Sequence, residues 1–122
     1  MNHKRLLLSW ILLTLTAGAG KSAAQDNVDH AGIISAWNQQ SAQRGQRLFQ
    51  IACAPCHGAD AVHTINPQPR PFAVDRFQNG SDPHSLYKTI TRGFKNMSSQ
   101  SWLTPEPRYD VIDFIRETFL KL

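Results

Sequence analysis

The chain has 122 residues, 41% hydrophobic and 18% charged, with 13 lysines and arginines against nine acids. That length suits one domain with a small core. The net charge of +4 looks basic, but it is concentrated at the N-terminus.

Met1 to Arg5 is a short basic start, Leu6 to Thr16 is an apolar run of eleven residues, and AGAGKSAAQ continues it with small and polar residues. This is the pattern of a secretory signal peptide, residues 1–24; a spanning helix needs roughly 20 apolar residues. Ser22-Ala23-Ala24 places cleavage before Gln25, with a competing site before Gly20. No cysteine follows the run, so no lipid anchor is expected; an uncleaved, loosely membrane-associated form is the alternative. Removing residues 1–24 takes Lys4, Arg5 and Lys21 but no acid, leaving ten basic groups against nine acids. The mature chain is then nearly neutral, and a nucleic-acid surface, which needs a basic patch, loses its support. The expected location is an exported one, the bacterial periplasm.

Residues 25–38 form a lead-in with an apolar patch, Ile33, Ile34 and Trp37, too short to fold alone. The folded domain spans residues 39–122. Gln40 to Ile51 reads as a helix with Ser41 as N-cap and Ala42, Gly45, Leu48, Phe49 and Ala52 on one face. Gly45 costs about 1 kcal/mol there against alanine, which suggests close approach by another helix. After His57 a long segment with Pro67, Pro69 and Pro71 reads as an irregular loop wrapped over something. Asp82 caps, Pro83 opens and Gly93 stops a second helix, with Leu86, Tyr87 and Ile90 on its apolar side. A loop, FKNMSSQSW, leads to a third helix capped by Thr104 and opened by Pro105. There Val111, Ile112, Phe114, Ile115, Phe119 and Leu120 repeat at helical spacing. The fold class is therefore all-α: three main helices and irregular loops.

The chain has two cysteines, Cys53 and Cys56, followed directly by His57. Cys-x-x-Cys-His is the attachment signature of covalent haem. Two thiols three residues apart on a helical turn can reach two vinyl groups on one side of a porphyrin, and the adjacent imidazole can then donate to the iron. The second imidazole nitrogen needs an acceptor, for which the Pro67 and Pro69 carbonyls are candidates. A redox dithiol would want a βαβ setting, a structural zinc about four ligands, and a plain disulfide would not need the histidine. The opposite side of the iron needs a ligand or stands open. Met97 is the one methionine left after signal removal, and it sits in a polar loop where core filling explains it poorly. Its rivals are His63 and His84, with His30 less suited because it precedes the haem helix. Thioether ligation raises the reduction potential relative to two histidines.

RGQRLFQIACAPCHG, GFKNM and RYDVIDFIRETFLK together resemble a small class I cytochrome c over residues 40–121, nearly all of the mature domain. The resemblance implies the cytochrome c fold around one haem c, bound through Cys53 and Cys56, with His57 and Met97 as axial ligands. It also implies that Gly45 and Phe49 on the first helix cross Val111 and Phe114 on the last. The chain departs from the family in having Ser98, not proline, after the methionine, and in lacking a glycine-rich run in HTINPQPRPF. The C-terminal half is similar to cytochrome modules fused to, or found beside, larger bacterial dehydrogenases and oxidases. Trp102 and Tyr87 are candidates for packing on the haem or its propionate side, with ordinary core packing as the alternative.

The expectation is a monohaem electron carrier, not an enzyme, cycling between ferrous and ferric iron. It would serve a dehydrogenase, oxidase or reductase as a monomer or in a transient complex. The alternative is a haem enzyme subunit or gas sensor with an open distal position.

Overall fold

Two helices far apart in sequence touch backbone to backbone in the computed structural model, which describes residues 27–65, 71–72 and 77–122. They are α2 (Gln39–Leu48) and α5 (Pro105–Ile115), and Gly45 is the reason they can meet. A Cβ on Gly45 would lie 1.8 Å from the Asp110 carbonyl oxygen and 3.0 Å from Phe114 Cβ. The glycine accepts its helix penalty in return for a close approach, as its position on the apolar face suggested.

The order of elements is α1 (His30–Ser35), α2, a π-helical turn Phe49–Cys53, α3 (Ala54–His57), α4 (Pro83–Arg92), α5, and a second π-helical turn Arg116–Leu120. Among the described residues there is no sheet, only one isolated antiparallel bridge between Phe94 and Met97. The all-α class stands.

Two local details differ from the sequence reading. The N-cap of α2 is Asn38, not Ser41: its side-chain oxygen accepts from the amides of Gln40 and Ser41, and Ser41 reaches back to the Asn38 amide. This is a reciprocal capping box that begins three residues earlier than expected. The first helix also does not run as an α-helix to Ile51. Its α-helical part ends at Leu48, and the next turn widens so that the Ala54 amide donates to the Phe49 carbonyl. Pro55 supplies the cause, since it has no amide hydrogen for the Ile51 carbonyl and its ring crowds that carbonyl. A π turn relieves the conflict without breaking the helical path.

The bounds of α4 fall where the sequence put them. Asp82 accepts from the Ser85 amide, Pro83 opens α4, and Gly93 ends it at φ 78°. At α5, Thr104 holds the position before Pro105 but its side chain makes no capping hydrogen bond, and Phe119 and Leu120, expected on this helix, fall in the second π turn.

Every side chain from Arg108 to Ile115 is buried, so α5 serves as a shared wall between two clusters. On one side Phe49, Ala61, Val111, Phe114 and Ile115 pack with Leu48, Cys53, Phe72 and Phe119. On the other, Leu86, Tyr87, Tyr109 and Ile112 pack with Ile33, Ile34, Trp37, Phe77 and Ile90. The lead-in therefore has a place: Ile33 and Ile34 on α1, with Trp37 just after it, lie on the second cluster. Burying each large side chain is worth roughly 1.5–3 kcal/mol.

Candidate functional site

The π turn and α3 carry the motif. Cys53 closes the π turn, Cys56 and His57 lie on α3, and the three share one continuous helical path. The two thiols are not bonded to each other. Cys53 is packed against the Phe49 cluster, whereas Cys56 is exposed. Burial, with a smaller push from Cys56, drives the Cys53 thiol up to about 11. A redox dithiol needs the opposite, a thiolate stabilised near neutral pH. The setting thus disfavours disulfide exchange and suits a sulfur held in a covalent, uncharged bond.

The chain reverses immediately after His57. Gly58 sits at φ 77°, and a Cβ there would come within 2.2 Å of the His63 carbonyl oxygen. The loop folds back, with Ala61 fully buried beneath it and the Ile65 amide donating to the Cys56 carbonyl at 3.1 Å. Aromatic rings line the same region. Phe72 lies 5.0 Å from the His57 ring, 6.1 Å from Phe49 and 5.7 Å from Phe119. Two thiols and an imidazole on one helical path, beside an aromatic wall, are a donor set and surface that fit a planar apolar macrocycle carrying a metal. Phe72 was not singled out in the sequence; its only signal was an aromatic inside a proline-rich loop. Pro67 and Pro69, the carbonyl candidates for His57, lie outside the described residues, as do the signal segment and its cleavage sites.

Met97 is held elsewhere, in the loop between α4 and α5. Phe94 and Met97 exchange both backbone hydrogen bonds, at 3.0 and 2.9 Å, closing a turn over Lys95 and Asn96, with Lys95 at φ 53°. A Cβ on Gly93 would meet the Met97 carbonyl oxygen at 2.4 Å. Beyond it, the Gln100 amide donates to the Ile90 carbonyl and the Ser99 hydroxyl to the Thr91 carbonyl. The loop is therefore pinned to the end of α4 on both sides of the methionine. That is a physical substitute for the rigidity that a proline at Ser98 would give. Met97 is half-buried and belongs to neither apolar cluster.

The rival histidines have other engagements. His63 is exposed and its Nδ1 lies 2.6 Å from Asp60, whose carboxylate raises the imidazole above its ordinary range while His63 pulls Asp60 below its own. His84 is exposed and meets His30 edge-on at 4.8 Å. His30 Nδ1 lies 2.8 Å from the Tyr109 hydroxyl, tying α1 to α5. Tyr87 is buried and stacks on Tyr109 at 4.7 Å, with the Arg108 guanidinium 4.7 Å from its ring, so it belongs to the second cluster. Trp102 is 66% exposed and its indole N–H donates to Gln100.

Among the described residues no three histidine, cysteine or acidic side chains gather as a metal site of their own, and no helix is long and apolar enough to cross a membrane. Residues 40–115 match the family model described as cytochrome C oxidase, cbb3-type, subunit III. No curated protein and no solved structure gives a significant match.

Proposed function

The chain belongs to the cytochrome C oxidase, cbb3-type, subunit III family, and from that premise we propose that it is an exported monohaem electron carrier whose iron is held between His57 and Met97. Its domain is a c-type cytochrome domain, which implies covalently bound haem c and haem-based electron transfer. In the proposed arrangement Cys53 and Cys56 hold the macrocycle as thioethers. His57 provides the proximal imidazole, and the pinned 94–97 turn presents the Met97 sulfur to the other side. The group so held supplies a one-electron couple between ferrous and ferric iron. Phe72, Phe49 and Phe119 keep water from the His57 side, and a soft thioether favours the reduced state. With both axial positions occupied, no substrate needs to reach the metal; the protein exchanges electrons with a redox partner, of which an oxidase is the first candidate. Residues 1–24 serve as the export signal in this reading.

One observation carries the proposal: two unbridged thiols, one packed on the Phe49 cluster and one exposed, share a continuous helical path with His57. The test is the visible spectrum of the haem-loaded protein. A methionine–iron charge-transfer band should be present in the ferric form, vanish in Met97→Ala, and be replaced there by rapid binding of cyanide or, when reduced, of carbon monoxide. Rapid, tight ligand binding by the unmodified protein would instead establish an open distal position and a sensor or enzyme.

A further inference from the structure

We propose that Asp113 enters the α2–α5 crossing as a neutral carboxylic acid whose O–H donates to Ser41 Oγ, making the crossing a proton-dependent latch.

Ser41 has one hydroxyl proton and three polar neighbours. Its Oγ lies 2.8 Å from the Asn38 amide nitrogen, 2.6 Å from the Asn38 carbonyl oxygen and 2.5 Å from Asp113 Oδ2. The amide can only donate and the carbonyl can only accept. A hydroxyl donates once and accepts twice. If Asp113 is ionised, its oxygen and the Asn38 carbonyl both require the single Ser41 proton. One of two short oxygen–oxygen contacts is then lone pair against lone pair. With the proton on Asp113, every position is filled. The carboxyl O–H donates to Ser41 Oγ, the Asn38 amide donates to its second lone pair, and Ser41 donates onward to the Asn38 carbonyl. The other lone pair of that carbonyl takes the Ala42 amide, at 3.2 Å.

The surroundings favour the same state. Ser41 and Asp113 are 2% and 4% exposed, so water cannot readily supply the missing partner. Asp110, one turn back on α5, repels a second negative charge. Arg44 on α2 is not available to Asp113, because its Nε and Nη2 grip both oxygens of Asp110 at 2.7 and 2.9 Å. Arg116 on the C-terminal π turn favours ionisation but donates to the Ser81 carbonyl. Burial is the largest influence and pushes the Asp113 carboxyl above the usual carboxylate range; Asp110 adds to it, while Ser41 and Arg116 oppose it.

Linkage fixes the direction of the effect. A folded chain that holds the proton more tightly than the unfolded chain has this stabilisation in full below the ordinary aspartate value of about 3.9. It is lost as pH rises through the folded midpoint, and over that span the unfolding constant grows about tenfold per pH unit.

The experiment is a carbon-13 NMR titration of the Asp113 carboxyl in the haem-loaded protein, paired with denaturant unfolding of the parent and Asp113→Asn across the same pH range. The carboxamide introduced by that substitution would retain a donor to Ser41 without a titrating proton. The expected results are a midpoint above that of aspartate in the unfolded chain and a flatter pH dependence in the variant. A midpoint at or below the unfolded value, or a variant whose unfolding follows the parent's pH slope, overturns the latch. If the variant does not fold, the titration of the parent decides alone.

Discussion

Gly45→Ala sets two well-known effects against each other. On an exposed helix the change is favourable by about 1 kcal/mol, because alanine is the better helix former. Here the new methyl would stand 1.8 Å from the Asp110 carbonyl oxygen and 2.5 Å from its carbon. An ordinary contact of roughly 3.4 Å requires the helices to part by about 1.6 Å in that direction, and a backbone carbonyl cannot rotate aside as a side chain can. Parting them strains what the crossing holds together: the Arg44–Asp110 pair, the Ser41–Asp113 contact, and the Phe49 and Phe114 rings at 5.4 Å. Overpacking of this kind costs about 1–3 kcal/mol, and more where backbone must move. The net expectation is a loss of about 2 kcal/mol, or roughly 10 °C in melting temperature for a domain of this size. Far-UV circular dichroism of the haem-loaded protein under denaturant measures it. A variant as stable as the parent, or more stable, would show that α2 and α5 are not in backbone contact.

Three further outcomes can be checked with less. Asp82→Ala removes the α4 cap and should cost about 1 kcal/mol. Because the Ser85 hydroxyl and amide hold the Asp82 carboxyl below its ordinary range, that contribution is present above the aspartate range and fades as pH falls below it, which acid unfolding of parent and variant will reveal. Tyr109→Phe deletes the hydroxyl that meets His30 and should speed amide hydrogen exchange in α1 while leaving α2 unchanged. Replacing Cys53 and Cys56 together by alanine should abolish covalent attachment, read as the absence of the haem mass under denaturing conditions; haem mass retained there would move the covalent anchor elsewhere.

Much of the frame was legible because its signals are local. Asp82-Pro83 and Gly93 bound α4 by backbone chemistry that needs no tertiary partner, and Cys53, Cys56 and His57 are close together in the chain. Gly45 was legible in a different way, as an inconsistency: a poor helix former on an apolar face implies something pressed against it. The parts that were not legible depend on distant residues or on a small local competition. Asn38 and Ser41 are both good caps, and the capping box uses both, so sequence alone chose the wrong member. The π turn arises from Pro55 acting on a carbonyl four residues earlier, an effect that the apolar pattern of the helix does not register. His30 finds Tyr109 across 79 positions, and Phe72 reaches His57 only because the intervening loop doubles back.

The α2–α5 crossing also has a consequence in time. Arg44 and Asp110 are 66 positions apart, so the crossing closes only after nearly the whole domain has been made. Gathering ends so distant is entropically costly and slow compared with forming a local helix. Until the last helix arrives, the turn bearing Cys53, Cys56 and His57 has no Val111, Phe114 or Ile115 to pack against. A chain made N-terminus first therefore presents its two thiols as an open, accessible segment. The order of synthesis leaves an interval for covalent attachment before the fold shuts around what has been attached.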